Sequence, residues 1–371
     1  MTAGPTLLVL EGDGIGPEIV AASRTVLAAA DAAFGLGLRM EAAEIGFAAL
    51  RAAGTTLPDR GLEAARAADG IVLGPVSHND YPPAAEGGLN PSGVLRKRLD
   101  LWANIRPAAT PPGRGAARGG KPFDLVILRE NTEGFYADRN MAEGAGEFLP
   151  DPDMALALRK ITRRACRRIA LAAFDLAARR PARRVTAVHK ANVLRLSDGL
   201  FLQETRAAAR AHPGIAYDEV LVDAMAAHLV RDPARYDVIV TTNMFGDILS
   251  DLAAELAGGL GLGASLNAGD TQAMAQAQHG SAPDIAGNGR ANPAALIASS
   301  AMLLEWLGAR RGDDALTRAG RAVSAALDAA LADPATRTPD LGGTATTAAA
   351  ARAVARRVTE LAAPDAQTGR V

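Results

Sequence analysis

The sequence predicts an α/β protein whose central sheet is largely parallel. Short β-branched runs alternate with longer alanine-rich stretches of helical spacing, a pattern typical of parallel strands joined by helices. The first run, TLLVL at Thr6–Leu10, ends in the glycine-rich turn EGDGIGPE, and Ile19, Val20, Val26 and Leu27 then recur at helical spacing. These residues predict a buried strand, a tight turn and a helix.

Five later runs predict further strands, and two breaks predict domain boundaries. The runs are GIVL at Gly70–Leu73, FDLVIL at 123–128, and those at 185–188, 220–222 and 238–240. Some links between them are too long for simple crossovers, which favours a second layer or an inserted domain. Stretches rich in Pro and Gly at 106–121, and in Gly at 257–264, mark where the chain would leave one domain and return to it.

Composition excludes several classes of protein. The 371 residues can bury a substantial core, and ~150 residues per domain suggests two domains. The 40 Lys and Arg residues balance 41 Asp and Glu residues, so no overall charge attracts a polyanion. No apolar run approaches the ~18 residues of a membrane-spanning helix, and the first residues lack the basic start of a secretory signal. The single cysteine, Cys166, excludes an internal disulfide and favours a reducing, cytoplasmic location.

Two glycine clusters resemble nucleotide-binding loops without matching one fully. The turn at residues 12–16 could bring backbone amides to a phosphate, but Pro17 and Glu18 break the G-x-G-x-x-G spacing. The segment 259–264 matches G-x-G-x-x-A, but it follows a predicted helix instead of a strand. Neither cluster alone establishes a dinucleotide site.

Asp247 and Asp251 lie four residues apart at the start of a helical pattern, so their carboxylates share one face. Such oxygens suit Mg²⁺ or Mn²⁺, with Asp223 as a third ligand. Alternatively, Asp247 is an acid favoured by the helix dipole and Asp251 is solvated. Lys190 follows a predicted strand, where it is either a surface residue or a desolvated catalytic amine.

Residues 159–184 carry nine arginines beside an apolar stripe, which predicts a helix with one basic, solvated face. No aromatic side chains are interleaved to stack on bases, so the pattern does not favour nucleic-acid binding. Cys166 lies near the apolar stripe and is interpreted as a packing residue. His228, on an apolar helical face, is interpreted as a core or interface histidine.

Eight segments together resemble the β-decarboxylating dehydrogenases, the family of isocitrate, 3-isopropylmalate, homoisocitrate, tartrate and D-malate dehydrogenases. They occur in the family's order over almost the whole chain. The segments are LEGDGIGPEI, LRKRLDLWANIRPA, LRENTEGFYAD, VHKANVLRLSDGLF, VDAMAAHLV, NMFGDILSDLAAELAGGLGL, HGSAPDIAGNGRANP and TPDLGGTATT.

The resemblance implies a two-domain fold with a mixed central sheet flanked by helices. Residues 1–106 and 258–371 would form the cofactor-binding domain, and residues 107–257 the domain for substrate, metal and dimerisation. The subunit would work as a homodimer with active sites shared between the copies. No nucleic-acid or membrane partner is implied.

The resemblance also assigns site residues. Arg96, Arg106 and Arg129 would grip the substrate carboxylates, for which guanidinium forks are suited. Tyr136 would be the catalytic acid, and Lys190, from the partner subunit, would take the hydroxyl proton. The metal ligands would be Asp223, also from the partner, with Asp247 and Asp251, and the metal would be Mg²⁺ or Mn²⁺.

Cofactor choice follows from the loop that begins at His279. Asp284 and Ile285 occupy positions where NAD-dependent members have an acid and an aliphatic residue, and an acid repels a 2′-phosphate. The resemblance therefore implies NAD, with K⁺ kept open as an accompanying cation. The implied cofactor-binding residues are Gln276, His279, Gly280, Ser281, Ala282, Pro283, Asp284, Ile285 and Asn292. The family usually has glutamate where this chain has Gln276.

Asn90 and Ser92 would form the part of the active site that receives the substituent on C3 of the substrate. These polar groups would be left unpaired against an isopropyl group, at about 1–3 kcal/mol per buried group. We therefore expect a polar or small C3 substituent, as in isocitrate, tartrate or D-malate. Leu89 keeps 3-isopropylmalate open as an alternative. A non-catalytic regulatory subunit of a heteromeric isocitrate dehydrogenase is a second alternative, opposed by the presence of every catalytic residue.

Overall fold

The computed structural model describes residues 4–112, 120–136, 141 and 145–363. Part of the predicted boundary at 106–121 and the chain ends therefore lie outside the described residues. The strands are β1 (Thr6–Leu10), β2 (Arg39–Ala43), β3 (Gly70–Leu73), β4 (Ala103–Ala109), β5 (Asp124–Glu130), β6 (Glu147–Asp151), β7 (Met154–Ala157), β8 (Arg184–His189), β9 (Ala216–Leu221), β10 (Val238–Thr241), β11 (Leu266–Ala268) and β12 (Ala273–Gln276).

The helices are α1 (Gly16–Phe34), α2 (Gly46–Ala53), α3 (Asp59–Ala67), α4 (Pro91–Arg98), α5 (Arg163–Ala178), α6 (Ser197–Ala211), α7 (Val222–Arg231), α8 (Asn243–Ala257), α9 (Ala294–Arg311), α10 (Asp314–Ala332) and α11 (Thr347–Ala362). Local chemistry sets several ends. Thr162 caps α5 with a hydroxyl that accepts the Ala165 N–H at 3.3 Å, and Asp313 caps α10 in the same way. Gly35 ends α1 in the left-handed conformation.

Ten strands form one mixed sheet in the order β2-β1-β3-β12-β11-β4-β5-β10-β8-β9. Six of its nine neighbouring pairs are parallel, and the antiparallel pairs are β12-β11, β11-β4 and β4-β5 in the middle. The prediction of an α/β fold with a mixed central sheet is confirmed. The run at 220–222 was placed slightly too late, because β9 ends at Leu221 and Val222 begins α7.

Each half of the sheet has apolar clusters of its own. In the half formed by β1, β3 and β12, Leu7 and Val9 near the start of the chain pack in one cluster with Leu304 of α9. In the other half, Phe174 of α5 and Leu249 of α8 belong to clusters drawn from residues 103–257. The chain thus leaves the first half and returns to it. The domain boundaries themselves stay a prediction, since one continuous sheet joins the halves.

Candidate active site

A cavity of about 330 Å³ lies where α4, β12, β4, β5 and α8 meet, near the middle of the sheet. Parallel and antiparallel strands adjoin here, so strand ends from both halves converge on one opening. Ten of the predicted site residues line it: Asn90, Ser92, Arg96, Arg106, Arg129, Tyr136, Asp247, Gln276, His279 and Gly280.

Arg129 forms the floor of the cavity. Its buried guanidinium donates from Nε to Asn243 Oδ1 at 2.8 Å, pairs through Nη1 with Asp247, and donates from Nη2 to Tyr136 Oη at 2.6 Å. Tyr136 Oη in turn donates to Asp247 Oδ2 at 2.8 Å. Gly246 allows α8 to approach, because a Cβ there would lie 2.6 Å from the Cβ of Arg129. Arginine, phenol and carboxylate therefore form one connected group.

Arg106 brings the two α8 carboxylates together. Its Nη1 lies 3.1 Å from Asp247 Oδ1 and 3.2 Å from Asp251 Oδ1, and it donates to Ser250 Oγ at 2.7 Å. Its Nε donates to Asn104 Oδ1 at 2.5 Å, which fixes the plane of the guanidinium. One oxygen of each aspartate thus lies beside the same Arg106 nitrogen. This agrees with the four-residue spacing, which puts both carboxylates on one face of the helix.

The two aspartates have opposite pKa shifts. Burial alone would raise the pKa of the Asp247 carboxyl, but the charges of Arg129 and Arg106 outweigh it and lower the pKa below its ordinary value. Burial raises the pKa of Asp251, and the charge of Asp247 adds to that effect while Arg106 opposes it. Asp247 is therefore the more firmly ionised carboxylate.

This pair fits a hard divalent cation, since both residues offer acceptor-only oxygens at one place. Within the described ranges, no third His, Cys, Asp or Glu side chain joins them to make a metal-binding group. Asp223 and Lys190 do not line the cavity. They pair with each other, Lys190 Nζ lying 2.6 Å from Asp223 Oδ1, and the hydrogen bond from Lys190 lowers the pKa of the Asp223 carboxyl, whose side chain is 64% exposed.

Lys190 is held by a buried ion pair that the sequence analysis missed. Asp198 Oδ2 accepts the backbone N–H of Lys190 at 2.5 Å, and Asp198 Oδ1 accepts from Arg159 Nη1 at 2.6 Å. Arg159 Nη2 also donates to Thr242 Oγ1 at 3.0 Å, next to the start of α8. The acid within the sequence LSDGLF was the available signal, because a buried aspartate needs such partners.

The wall opposite α8 is polar. Asn90 caps α4, its Oδ1 accepting the Gly93 N–H at 3.1 Å. Gln276 Oε1 accepts from Ser92 Oγ at 2.9 Å and from Arg96 Nη2 at 3.0 Å, while Arg96 Nη1 donates to Asn131 Oδ1 at 3.4 Å. Gln276 is thus bonded to two predicted substrate residues.

Backbone amides of the glycine-rich turn after β1 donate hydrogen bonds to neighbouring loops. Asp13 N donates to Pro75 O and Ile15 N to Ser281 O, both at 2.8 Å. Gly14 has a φ of +56°, and a Cβ there would lie 2.0 Å from Ser281 O. These amides are therefore occupied within the protein, and the glycines of the turn allow the loop at 279–285 to pack directly against it.

The loop at 279–285 presents polar groups suited to a nucleotide. His279 Nε2 is buried without a hydrogen-bond partner, and burial lowers the pKa of the imidazole, which favours the neutral form of the ring. Asp284 is exposed and carries no hydrogen bond or ion pair to any described residue, whereas Ile285 packs against the core. Asn292 is already engaged, since its Nδ2 donates to Asp340 Oδ2 at 2.9 Å.

Glu18, in the first turn of α1, anchors the next part of this loop and was not predicted. Its carboxylate accepts the N–H of Ala291 at 3.0 Å and of Gly289 at 3.3 Å, and it also accepts from Thr347 Oγ1. Two backbone amides converging on one carboxylate form a rigid support. An acid in the first turn after the glycines was the only signal in the sequence.

Comparison with known proteins decides the family. The isocitrate/isopropylmalate dehydrogenase family matches residues 6–356. The chain belongs to this family. It is 43% identical over 356 residues to the isocitrate/homoisocitrate dehydrogenase of Thermus thermophilus, covering 96% of this chain and 99% of that protein. It is 40% identical over 344 residues to the 3-isopropylmalate dehydrogenase of Sulfurisphaera tokodaii, covering 93% and 96%.

A solved isocitrate dehydrogenase from Methylococcus capsulatus superposes with a TM-score of 0.84 at 40% identity, covering 96% of this chain and 99% of that one. The predicted resemblance is confirmed. The family oxidatively decarboxylates 3-carboxy-2-hydroxy acids, generally with a divalent metal and NAD or NADP. The chain is accordingly an oxidoreductase of the decarboxylating dehydrogenase type.

The features outside the cavity have structural roles. Burial raises the pKa of the Cys166 thiol to about 12, with Glu133 and Glu130 adding to it, and His228 Nδ1 lies 2.7 Å from Tyr236 Oη. Arginines of α5 and its exit pair with acids, as in the Arg168–Asp100 pair at 2.6 Å, so the basic face is largely compensated. No helix in the described part of the chain is long and apolar enough to span a membrane.

Proposed function

We propose that the chain is an NAD-dependent and divalent-metal-dependent dehydrogenase that oxidatively decarboxylates a 3-substituted (2R)-malate with a polar or small C3 substituent. The observation that carries the proposal is one cavity lined by three arginines, Tyr136 and Asp247, with Asp251 joined to it through Arg106. Substrate carboxylates need guanidinium donors, and the reaction needs a proton donor beside them. The cavity offers both.

Asp247 and Asp251 would hold Mg²⁺ or Mn²⁺, with Asp223 of a second copy as the third ligand. One oxygen of each carboxylate lies within 3.2 Å of the same Arg106 nitrogen, so the two carboxylates are close enough to share one cation. When bound, the metal supplies electrostatic stabilisation of negative charge on the substrate oxygens. The low pKa of Asp247 keeps one ligand ionised well below neutral pH.

The chain's own residues perform the proton transfers. Lys190 of a second copy would accept the proton of the substrate's 2-hydroxyl. A bound nicotinamide cofactor would supply the hydride acceptor for oxidation at C2. Loss of CO₂ from the resulting 2-oxo acid then requires a proton at C3. Tyr136 is suited to supply it, because its Oη is oriented by Arg129 and Asp247.

For the cofactor, we propose NAD. Asp284 is exposed and pairs with no cationic side chain among the described residues. Its carboxylate can therefore accept hydrogen bonds from ribose hydroxyls and repel a 2′-phosphate. The partnerless Nε2 of His279 offers a further contact in the same loop. Glu18 would keep the loop in place through Ala291 and Gly289.

We propose a homodimer with shared active sites. The arm formed by β6 and β7 is exposed along its whole length and carries Leu149, whose surface is 68% exposed, beside Phe148 and Met154. An isolated two-stranded arm is marginally stable in water, so a second copy is the natural cover. Val230 of α7 and Ile248 of α8 are also exposed. They lie on the same helices as Asp223 and Asp247, the two metal ligands that the proposal brings together from different copies.

3-Isopropylmalate remains the alternative substrate, since one relative at 40% identity is a 3-isopropylmalate dehydrogenase. Leu89, the residue that favoured it, packs against the apolar cluster beneath α4. Leu89 does not line the cavity that Ser92 and Gln276 line.

The test is NADH formation from D-malate, tartrate, isocitrate, homoisocitrate and 3-isopropylmalate with Mg²⁺ or Mn²⁺ and K⁺. We expect turnover on a compound with a polar or small C3 group, loss of it with a chelator, and little turnover with NADP. Asp247→Asn should lower kcat by at least ~100-fold because it removes a charged ligand. A preference for 3-isopropylmalate or for NADP, or full activity without metal, would contradict the proposal.

A further inference from the structure

We infer that Arg159 is a positioning residue for both active sites of the proposed dimer. Through Asp198 it holds Lys190, which would act in the site of a second copy. Its other contacts are to the segments that carry Tyr136 and Asp247, which would act in the site of its own chain. The inference rests on the proposed function and extends it to a residue that does not line the cavity.

The Arg159 guanidinium is buried and bonded on two sides. Its side chain is 8% exposed, and Nη1 donates to Asp198 Oδ1 at 2.6 Å and to Ser197 Oγ at 2.7 Å. Nη2 donates to Thr242 Oγ1 at 3.0 Å, at the start of α8. Asp198 has no exposed surface, so each charge depends on the other for compensation. The planar fork is therefore fixed between the start of α6 and the start of α8.

Asp198 joins Arg159 to the backbone of Lys190. Its Oδ1 accepts from the arginine, and its Oδ2 accepts the Lys190 N–H at 2.5 Å, directly after β8 ends. This bond sets where the lysine side chain leaves the strand. Without the arginine, Asp198 is an uncompensated buried charge that must move toward water or take up a proton, and either change weakens its hold on Lys190.

A second contact of Arg159 is with the first turn of α8. Thr242, the residue before this helix, uses its hydroxyl to accept from Arg159 and makes no capping hydrogen bond. The guanidinium carbon lies 5.5 Å from the centre of the Phe245 ring, two residues before Asp247. The positive end of the helix dipole disfavours a cation at this place, so stabilisation of α8 does not explain the arginine. Its contacts instead hold the turn that leads to Asp247.

A third contact is with the segment that carries Tyr136. The guanidinium carbon of Arg159 lies 5.7 Å from the centre of the Phe135 ring, next to Tyr136 in the chain. Gly134 and Lys160 exchange backbone hydrogen bonds at 2.8 and 3.1 Å, which hold the segment before Tyr136 beside the arginine. One arginine therefore connects the lysine that would serve the second copy with the acid and metal-ligand segments of its own chain.

A heterodimer with one intact site tests the inference from each chain in turn. Lys190→Ala in the first chain and Asp247→Asn in the second leave one site intact, formed by the first chain's Asp247 and the second chain's Lys190. Arg159→Lys keeps the charge but replaces the fork by a single ammonium, so it cannot hold Asp198 and Thr242 together. We expect it to lower kcat of the intact site at least ~10-fold from either chain, with a much smaller change in KM, because the substrate arginines keep their contacts. The assay is NADH formation from the malate that the wild type oxidises best.

Two further variants separate positioning from stability. Arg163→Lys is the matched control, since Arg163 also pairs with an acid but is 61% exposed and bonds only to α6 among the described residues. It should change neither kcat nor KM. Arg159→Met with Asp198→Leu replaces the buried pair by apolar side chains, an exchange that often preserves stability. This double variant should remain a folded dimer with a melting temperature close to that of wild type, yet lose kcat at least ~10-fold from either chain.

The four lysines of the chain give a readout without substrate, cofactor or metal. After reductive methylation with ¹³C-formaldehyde each lysine gives a dimethyl NMR signal, and the signal that is missing from Lys190→Ala identifies Lys190. We expect this signal to move in the Arg159→Met, Asp198→Leu variant, while those of Lys97 and Lys121 stay in place.

An effect of Arg159→Lys from only one chain would overturn the inference, as would full kcat or an unmoved Lys190 signal in the folded double variant. Loss of activity that only follows loss of folded dimer, with kcat per folded dimer unchanged, would also overturn it. An inactive parent heterodimer would instead contradict the shared site of the proposed function.

Discussion

A buried charged residue in this protein lies where neighbouring groups compensate its charge. Arg129 lies almost fully inside the protein, and each of its three donor positions has a partner in Asn243, Asp247 or Tyr136. An uncompensated buried cation would cost several kcal/mol, so these contacts are a condition for the arginine to be there. The same contacts assemble the chemistry, because they bring the phenol and the carboxylate together.

Cys166, unlike Arg129, is buried as a neutral group, and its reactivity can be predicted. Its pKa of about 12 and its position inside the α5 core keep it a thiol at pH 8. We expect no reaction with dithiobis(nitrobenzoate) at pH 8 in the native protein and one thiol per chain after unfolding in guanidinium. A Cys166→Ser variant gives the background. Rapid reaction of the folded protein would show that the thiol is accessible and not a packing residue.

At the scale of elements, the loops around the cavity are locked to one another. The turn between β1 and α1 supports the loop at 279–285 through Ile15 and Ser281, and Ser281 Oγ lies 2.7 Å from Ser77 Oγ on the loop after β3. The first turn of α1 supports the next part of the same loop through Glu18. The proposed cofactor loop is therefore positioned by contacts to the start of the chain.

Glu18→Gln tests this support. An amide retains one acceptor oxygen but turns its amino group toward a backbone N–H or a hydroxyl, so we expect about tenfold weaker NADH binding, equivalent to about 1.4 kcal/mol. Glu11→Gln is the control, because Glu11 is exposed just before the same glycine turn. NADH fluorescence titration gives both affinities. Unchanged affinity in Glu18→Gln would show that the loop keeps its place without this carboxylate.

At the scale of the whole molecule, the described chain carries the parts of the proposed mechanism in two places. Asp247 and Tyr136 line the cavity and Asp251 pairs with Arg106 at its edge, whereas Lys190 and Asp223 pair outside it. Exposed apolar side chains on the β6–β7 arm and on α7 and α8 give a surface for a second copy. Two copies arranged about a twofold axis could each complete the site of the other.

Subunit complementation tests the shared site. Lys190→Ala and Asp247→Asn homodimers should both be inactive, but a heterodimer contains one site with neither substitution. Random pairing makes half the dimers heterodimers, so co-expression in equal amounts should restore about a quarter of the wild-type activity. Differently tagged chains allow the heterodimer to be purified and assayed alone. A purified heterodimer with no activity would place both residues in the same chain's site.

Much of the fold could be predicted from local patterns. Buried strands such as β1 and β3 are continuous apolar runs with a glycine-rich turn or glycine at one end, and their bounds were predicted to the residue. β2, β4, β11 and β12 were missed because the exposed sequence RMEAA, the proline within ANIRPAA and the three to four residues of LNA and AMAQ carry no strand periodicity. These strands exist because neighbouring strands pair with them.

The sequence by itself determined the fold class, the family and the list of chemical groups, because short ordered motifs fix residue types at fixed spacings. Asp247 and Asp251 share a helix face by spacing alone. The tertiary structure decided which groups meet. Arg106 collects both carboxylates, Gln276 bonds to Ser92 and Arg96 across 180 residues or more of chain, and Lys190 with Asp223 stands apart. Those placements depend on strand order in one mixed sheet, a long-range property that no local pattern encodes.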